Sequence, residues 1–174
     1  MGEQPPAFDI LAWNADSTRL PAALHSFYLR SCYVDNEFAR GQLELDGTRL
    51  DPAAITSDLY VLAAKEDHIA PWRSSFEAVR VFSGSDVRFV LTSSGHIAGI
   101  VNPPSPKSSH WTDGKPAADP ESWLASATRH EGSWWEDWAA WAEAHAGDRR
   151  DPPPMGSEAH SILGDAPGTY VHEK

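Results

Sequence analysis

Two short apolar runs constrain the fold more than any other feature of this chain. Leu59–Ala64 and Val87–Leu91 both read as mostly buried strands, the second with Val87, Phe89 and Leu91 alternating against Arg88 and Val90. Between them, Pro71 suits a helix start, and Trp72, Phe76 and Val79 form an apolar stripe running to about Phe82. Strand, helix and strand of this length predict parallel neighbours joined by a right-handed crossover, hence an α/β fold. Each run also ends in a polar loop that delivers titratable groups. The first delivers Glu66-Asp67-His68. The second opens into Ser93-Ser94-Gly95-His96-Ile97-Ala98-Gly99. In open α/β sheets the chemistry lies outside the carboxyl ends of the strands, so Asp67 and His96 are the first candidates for a site.

The rest of the chain is arranged around this unit. Residues 1–8 read as an unstructured lead, and Phe8 to Trp13 is apolar in a strand-like way. Asn14 to Thr18 is a cluster of turn and cap formers. Pro21, Leu24, Phe27, Tyr28 and Cys32 predict a helix from about Leu20 to Glu37. Leu43 and Leu45 alternate before Asp46-Gly47, whose tolerance of positive φ predicts a small hairpin. After the Pro103-Pro104 turn, a loop is expected through Lys107 to Trp111. Asp119-Pro120-Glu121 then predicts a helix running to about His130. Gly132 breaks it, and Ser133-x-x-Glu136 is a capping-box pattern for a second helix with Gly147 as its C-cap. Along that helix Trp134, Trp138 and Trp141 make one aromatic face, which reads as core or as the cover for a partner surface. Residues 148–174, with Pro152-Pro153-Pro154, read as an irregular tail.

Composition removes several classes of function. A net charge of −11 argues against nucleic acid and against an anionic membrane surface. It would also repel an anionic ligand unless a local basic cluster offsets it. No run approaches the roughly 18 apolar residues of a membrane span, and Met1–Pro6 has no apolar core of a secretory signal. The single cysteine, Cys32, excludes an internal disulfide and fits a reducing cytosol. Metal binding is not indicated: the eight histidines are scattered, with no His-Glu-x-x-His and no Cys-x-x-Cys.

Asp67 and His96 suit the orienting acid and the base of a nucleophilic triad, in which the base takes a proton from Ser or Cys and the carboxylate fixes its tautomer. The same residues also read as an aspartate capping the helix at Pro71 and a histidine bonded in a turn. His68 reads as a packing or hydrogen-bonding neighbour. A nucleophile is missing from the pattern. Gly84-Ser85-Asp86 and Gly156-Ser157-Glu158 lack the second glycine of a nucleophile elbow, and Gly95 to Gly99 encloses no nucleophile. Cys32 falls mid-helix on the face of Leu24 and Tyr28, which predicts a buried packing cysteine.

At Trp13-Asn14-Ala15-Asp16-Ser17-Thr18-Arg19-Leu20-Pro21, Phe27-Tyr28-Leu29-Arg30, Glu66-Asp67-His68-Ile69-Ala70-Pro71-Trp72, Arg88-Phe89-Val90-Leu91, Ser94 to Gly99, Asn102-Pro103-Pro104 and Gly132-Ser133-Trp134-Trp135, the chain resembles the C-terminal part of polyhydroxyalkanoate synthases, the bacterial polyester polymerases. The His-Ile-Ala-Gly wording and the Ser-Trp-Trp block resemble the class I, short-chain branch. The resemblance covers roughly residues 7 to 146. It implies the C-terminal half of an α/β-hydrolase fold, with residues 9–147 the catalytic portion, parallel strands with a crossover helix, then C-terminal helices. It also implies a Cys–His–Asp triad that moves 3-hydroxybutyryl groups from coenzyme A to a growing polyester. Asp67 and His96 match the acid and base, while His68 and Trp72 belong to the same motif without an assigned step. The cysteine box of the family has no counterpart here, so the implied partners include the missing N-terminal half or a full synthase subunit. Further implications are a dimer, a cytoplasmic location with access to the granule surface, 3-hydroxyacyl-CoA as substrate and no cofactor. The alternative is a non-catalytic subunit or interaction module that binds a full synthase or the granule.

Overall fold

The computed structural model describes residue 17 and residues 19–115, 119–166 and 168–169. The strand expected at Phe8–Trp13 lies outside them. The described residues divide into two compact units, one ending at Trp138 and the other beginning at Ala139.

In the first unit, helix α1 (Ala22–Tyr28) follows Pro21 and continues as a π-helical turn, Leu29–Val34. The wider spacing of that turn brings Tyr28 and Tyr33 together edge to face, 5.3 Å between ring centres. A hairpin of β1 (Glu44–Leu45) and β2 (Thr48–Arg49) turns at Asp46 and Gly47, with φ of 48° and 72°, as the Asp-Gly pair predicts. A 3-10 turn, Pro52–Ala54, is capped by the Asp51 carboxylate and leads to β3 (Leu59–Ala64). The crossover that follows is two short helices rather than one, α2 (Trp72–Phe76) and α3 (Ala78–Val81), with Glu77 at the joint. The chain then enters β4 (Val87–Thr92).

β3 and β4 are parallel and in register from Leu59↔Val87 to Ala64↔Thr92. This is the arrangement expected from the two apolar runs. β4 is buried along its last four residues, as a strand covered on both faces should be. A one-turn helix, α4 (Ala98–Val101), follows His96. Two further strands, β5 (Ser109–Thr112) and β6 (Thr128–Glu131), complete a mixed sheet of order β3-β4-β5-β6 in which β5 pairs antiparallel with both β4 and β6.

These two strands correct the expectation from sequence. The loop expected through Lys107 to Trp111 holds most of β5, and the helix begun at Asp119 was expected to reach His130. That helix, α5 (Pro120–Ser126), starts as predicted, with Asp119 Oδ1 accepting from the Ser122 N–H at 2.9 Å. It ends at Ser126, and residues 128–131 turn back to pair with β5. The pairing is polar: Thr112 Oγ1 meets His130 Nε2 at 2.9 Å, and the His110 and His130 rings stack at 5.1 Å.

The core lies where β3, β4, α2 and α5 meet. Phe76, Phe89 and Trp123 pack at centroid distances of 4.9–5.8 Å, joined by Ala63, Trp72 and Leu91. Helix α6 (Trp134–His145) begins with Ser133 Oγ accepting from the Trp135 N–H. Asp137, in its first turn, accepts from Tyr60 Oη at 2.8 Å and from two nitrogens of Arg88 at 2.5 and 3.1 Å. Tyr60 and Arg88 are register partners on β3 and β4, so this carboxylate bolts the start of α6 to the sheet.

Helix α6 buries none of its residues fully, and Trp138 is 47% exposed, so the tryptophan stripe is not a core face. The helix ends at His145, before Gly147, and Gly147 does not adopt a positive φ. In the second unit, the His145 Nδ1 and the Trp141 carbonyl lie 2.7 Å apart. No helix or strand occurs among the described residues beyond His145. Among the described residues no helix is long and apolar enough to cross a membrane.

Candidate active site

The in-register ends of β3 and β4 deliver Asp67 and His96 to one place. The ladder continues past the strands: Lys65 N–H donates to the Thr92 carbonyl and Glu66 N–H to the Ser94 carbonyl, at 2.8 and 2.9 Å. Ser94 turns the chain with φ of 76° ahead of Gly95. His96 then meets Asp67 with Nδ1 2.8 Å from Oδ2.

The other oxygen of Asp67 has a separate task. Oδ1 accepts from the backbone N–H groups of Ile69 and Ala70, both at 2.8 Å. Asp67 therefore shapes the loop ahead of α2, whose N-terminus has no side-chain cap, and it also faces the histidine. The Ala70 N–H, with smaller contributions from His96 and Ile69, outweighs desolvation and holds the carboxyl at about 2. An ionised carboxylate only accepts, so His96 Nδ1 is the donor. The neutral imidazole is thereby fixed in the tautomer whose lone pair is on Nε2. That nitrogen has no hydrogen-bond partner among the described residues, and the His96 side chain is 44% exposed while that of Asp67 is 7% exposed. The arrangement leaves Nε2 open while a carboxylate holds the other side of the ring, which is the geometry general-base chemistry requires.

The turn after His96 is packed from behind. A Cβ at Gly99 would lie 2.9 Å from the Ser93 carbonyl oxygen and 3.1 Å from Ala64 Cβ, so the residue has no room for a side chain. Gly99 and Ile100 carbonyls accept from the indole N–H groups of Trp134 and Trp135 at 3.0 and 3.1 Å. In sequence the Ser-Trp-Trp block stands out as a family resemblance and as a helix start, with Trp134 also in the aromatic stripe. Its link to the histidine turn depends on long-range packing that periodicity does not report.

The remaining candidates fall elsewhere. Trp72 is buried in the core, 3% exposed, with the Arg73 guanidinium over its ring. His68 is exposed and makes no hydrogen bond to Asp67 or His96. Cys32 is exposed on the π-helical turn, which corrects the expectation of a buried packing cysteine. The face of Leu24 and Tyr28 that it was expected to share is itself exposed, and Ser31 is the buried residue of the turn. No cluster of three metal-ligating side chains occurs among the described residues.

The chain is similar in sequence to several curated polymerases. It is 47% identical over 174 residues to the poly(3-hydroxyalkanoate) polymerase subunit PhaC of Rhizobium etli, covering 99% of this chain and 27% of the relative. It is 49% identical over 175 residues to the poly(3-hydroxyalkanoate) polymerase of Methylorubrum extorquens, covering 99% and 29%. Against the PhaC subunit of Cupriavidus necator the identity is 42% over 176 residues, covering 99% and 30%. The chain thus spans less than a third of the length of these relatives. No protein-family model matches it.

Proposed function

We propose that the chain is the C-terminal part of a polyhydroxyalkanoate synthase, as its 42–49% identity to such polymerases supports, and that it supplies the acid and the base of an acyl-transfer site whose nucleophile comes from a preceding segment or a companion chain. The observation that carries this reading is the 2.8 Å contact between Asp67 Oδ2 and His96 Nδ1 at the ends of adjacent parallel strands, with Nε2 open. The β3–β4 pair with its crossover fits the C-terminal half of an α/β-hydrolase fold, in which acid and histidine follow the nucleophile in chain order.

In this reading His96 Nε2 takes the proton of a cysteine thiol. The thiolate attacks the thioester carbonyl of a 3-hydroxyacyl-CoA, the carbon–sulfur bond to coenzyme A breaks, and the leaving thiolate takes the proton from the imidazolium. In the second half, the terminal hydroxyl of the growing polyester gives its proton to His96 and attacks the acyl-cysteine. The imidazolium then returns the proton to the departing sulfur, and the chain is one unit longer. Asp67 keeps Nδ1 protonated throughout and stabilises the imidazolium. The substrate is 3-hydroxybutyryl-CoA, the setting is the cytoplasm at the granule surface, and the working unit is a dimer.

The test is to join this chain to the preceding segment of the Rhizobium etli relative and to measure coenzyme A release from 3-hydroxybutyryl-CoA. Release that His96→Ala abolishes and Asp67→Asn lowers strongly supports the reading; equal rates in all three would overturn it. The exposed apolar side chains of α1 and the start of the π turn after it, Leu24, Phe27, Tyr28 and Leu29 at 37–48% exposure, favour a second reading, a non-catalytic module. An inactive fusion combined with stable capture of an intact polymerase by the chain would favour that module instead.

A further inference from the structure

We propose that Trp134 and Trp135 are positioning residues for His96, acting through the one-turn helix that follows it; the proposal rests on the acid–base reading of Asp67 and His96. Helix α4 is four residues long, so its last carbonyls have no partner within the helix. The two indoles satisfy two consecutive ones, Gly99 and Ile100. The same turn is tied to the residues on either side of His96: Gly99 N–H donates to the Gly95 carbonyl, and Ile100 and Val101 N–H both donate to that of Ile97, all at 2.9–3.0 Å. A shift of α4 therefore moves the backbone that carries the imidazole. Gly99 lies flat on Ser93 and Ala64, so the turn is held between the sheet on one side and two N–H donors on the other.

The donors are fixed in turn. Asp137, in the same first turn of α6, is held by Tyr60 and Arg88, and the Trp134 ring packs 6.4 Å from that of Tyr60. Adjacent residues on a helix project in different directions, about 100° apart. Two neighbouring indoles on neighbouring carbonyls are therefore not what burial of one helix face would produce. Trp135 is 37% exposed and its ring also packs edge to face on Trp134, 6.3 Å between ring centres, so the test must separate its hydrogen bond from its packing.

The experiment removes the N–H and keeps the ring. The full chain is labelled with 15N-histidine, and Trp134 and Trp135 are replaced, singly and together, by the sulfur analogue of tryptophan in which the indole N–H is absent. Trp134→Phe and Trp135→Phe serve as the encoded counterparts, and Trp138→Phe, at an exposed position, is the control. The readout is the 15N shifts of the His96 ring, which report the neutral tautomer, beside the amide spectrum and Tm, which report the fold. The parent and Trp138→Phe are expected to show the Nδ1–H tautomer. The double N–H deletion is expected to shift His96 toward a tautomer mixture while the amide spectrum and Tm stay close to the parent. In the fused polymerase the double variant is expected to lower kcat roughly tenfold to a hundredfold at unchanged KM. An Nδ1–H signal in the parent that the double variant leaves unmoved overturns the clamp alone. A parent without that signal overturns the acid–histidine pair and the clamp with it.

Discussion

Asp67 divides its two oxygens between a loop and a histidine, and that division predicts its pH behaviour. The carboxyl is held at about 2, first by the Ala70 N–H and then, against desolvation, by His96 and Ile69. An unfolded aspartate titrates near ~3.9. Between these values the unfolded chain binds a proton that the folded chain does not, so stability rises with pH there. The contribution is complete above the unfolded value and is lost as pH falls through the folded one. The urea midpoints of the parent and of Asp67→Asn should therefore differ at pH 6 and converge as pH approaches 2. Parallel curves would show that the carboxylate is not held as described. His96→Ala should keep much of the parent's pH dependence, since the two backbone donors remain. Cys32 makes the opposite case. Exposed on the π turn, it should tolerate Cys32→Ala within about 0.5 kcal/mol by denaturant titration.

At the scale of elements, the β3–helix–β4 unit was legible because its apolar runs, Pro71 and the stripe of Trp72 and Phe76 all agree on one period each. The Asp-Gly hairpin and the Asp119 cap were legible for the same reason, since a few residues with special backbone chemistry determine them. β5 and β6 were not. Ser109-His110-Trp111-Thr112 and Thr128-Arg129-His130-Glu131 are polar, and their pairing is held by side chains across the ladder rather than by an apolar alternation. Asp67 and His96 were legible as strand-end groups. That they meet, and that Trp134 and Trp135 reach the turn behind them, depends on register and on α6 docking, which no local window contains. Two substitutions test this packing. Gly99→Ala forces a Cβ against the Ser93 carbonyl and should cost roughly 1–3 kcal/mol. Tyr60→Phe removes one bond to Asp137 and should cost about 1 kcal/mol. Guanidinium unfolding of the two variants measures both, and a Gly99→Ala protein as stable as the parent would contradict the close approach.

Over the whole molecule, the features that make a site and the features that want a partner are both present. β3 pairs only with β4 among the described residues, and α1 shows apolar side chains along most of its length. Such surfaces promote association. The chain's weight-average mass by light scattering should rise with concentration, whereas a monomer throughout the micromolar range would count against it. The central claim is that this chain holds an acid and a base but not the nucleophile they serve. Intact-protein mass spectrometry after incubation with 3-hydroxybutyryl-CoA tests it most directly. The account predicts that the isolated chain gains no 3-hydroxybutyryl adduct beyond that of His96→Ala. A His96-dependent adduct mapped to Cys32 would place the nucleophile within this chain and contradict the account.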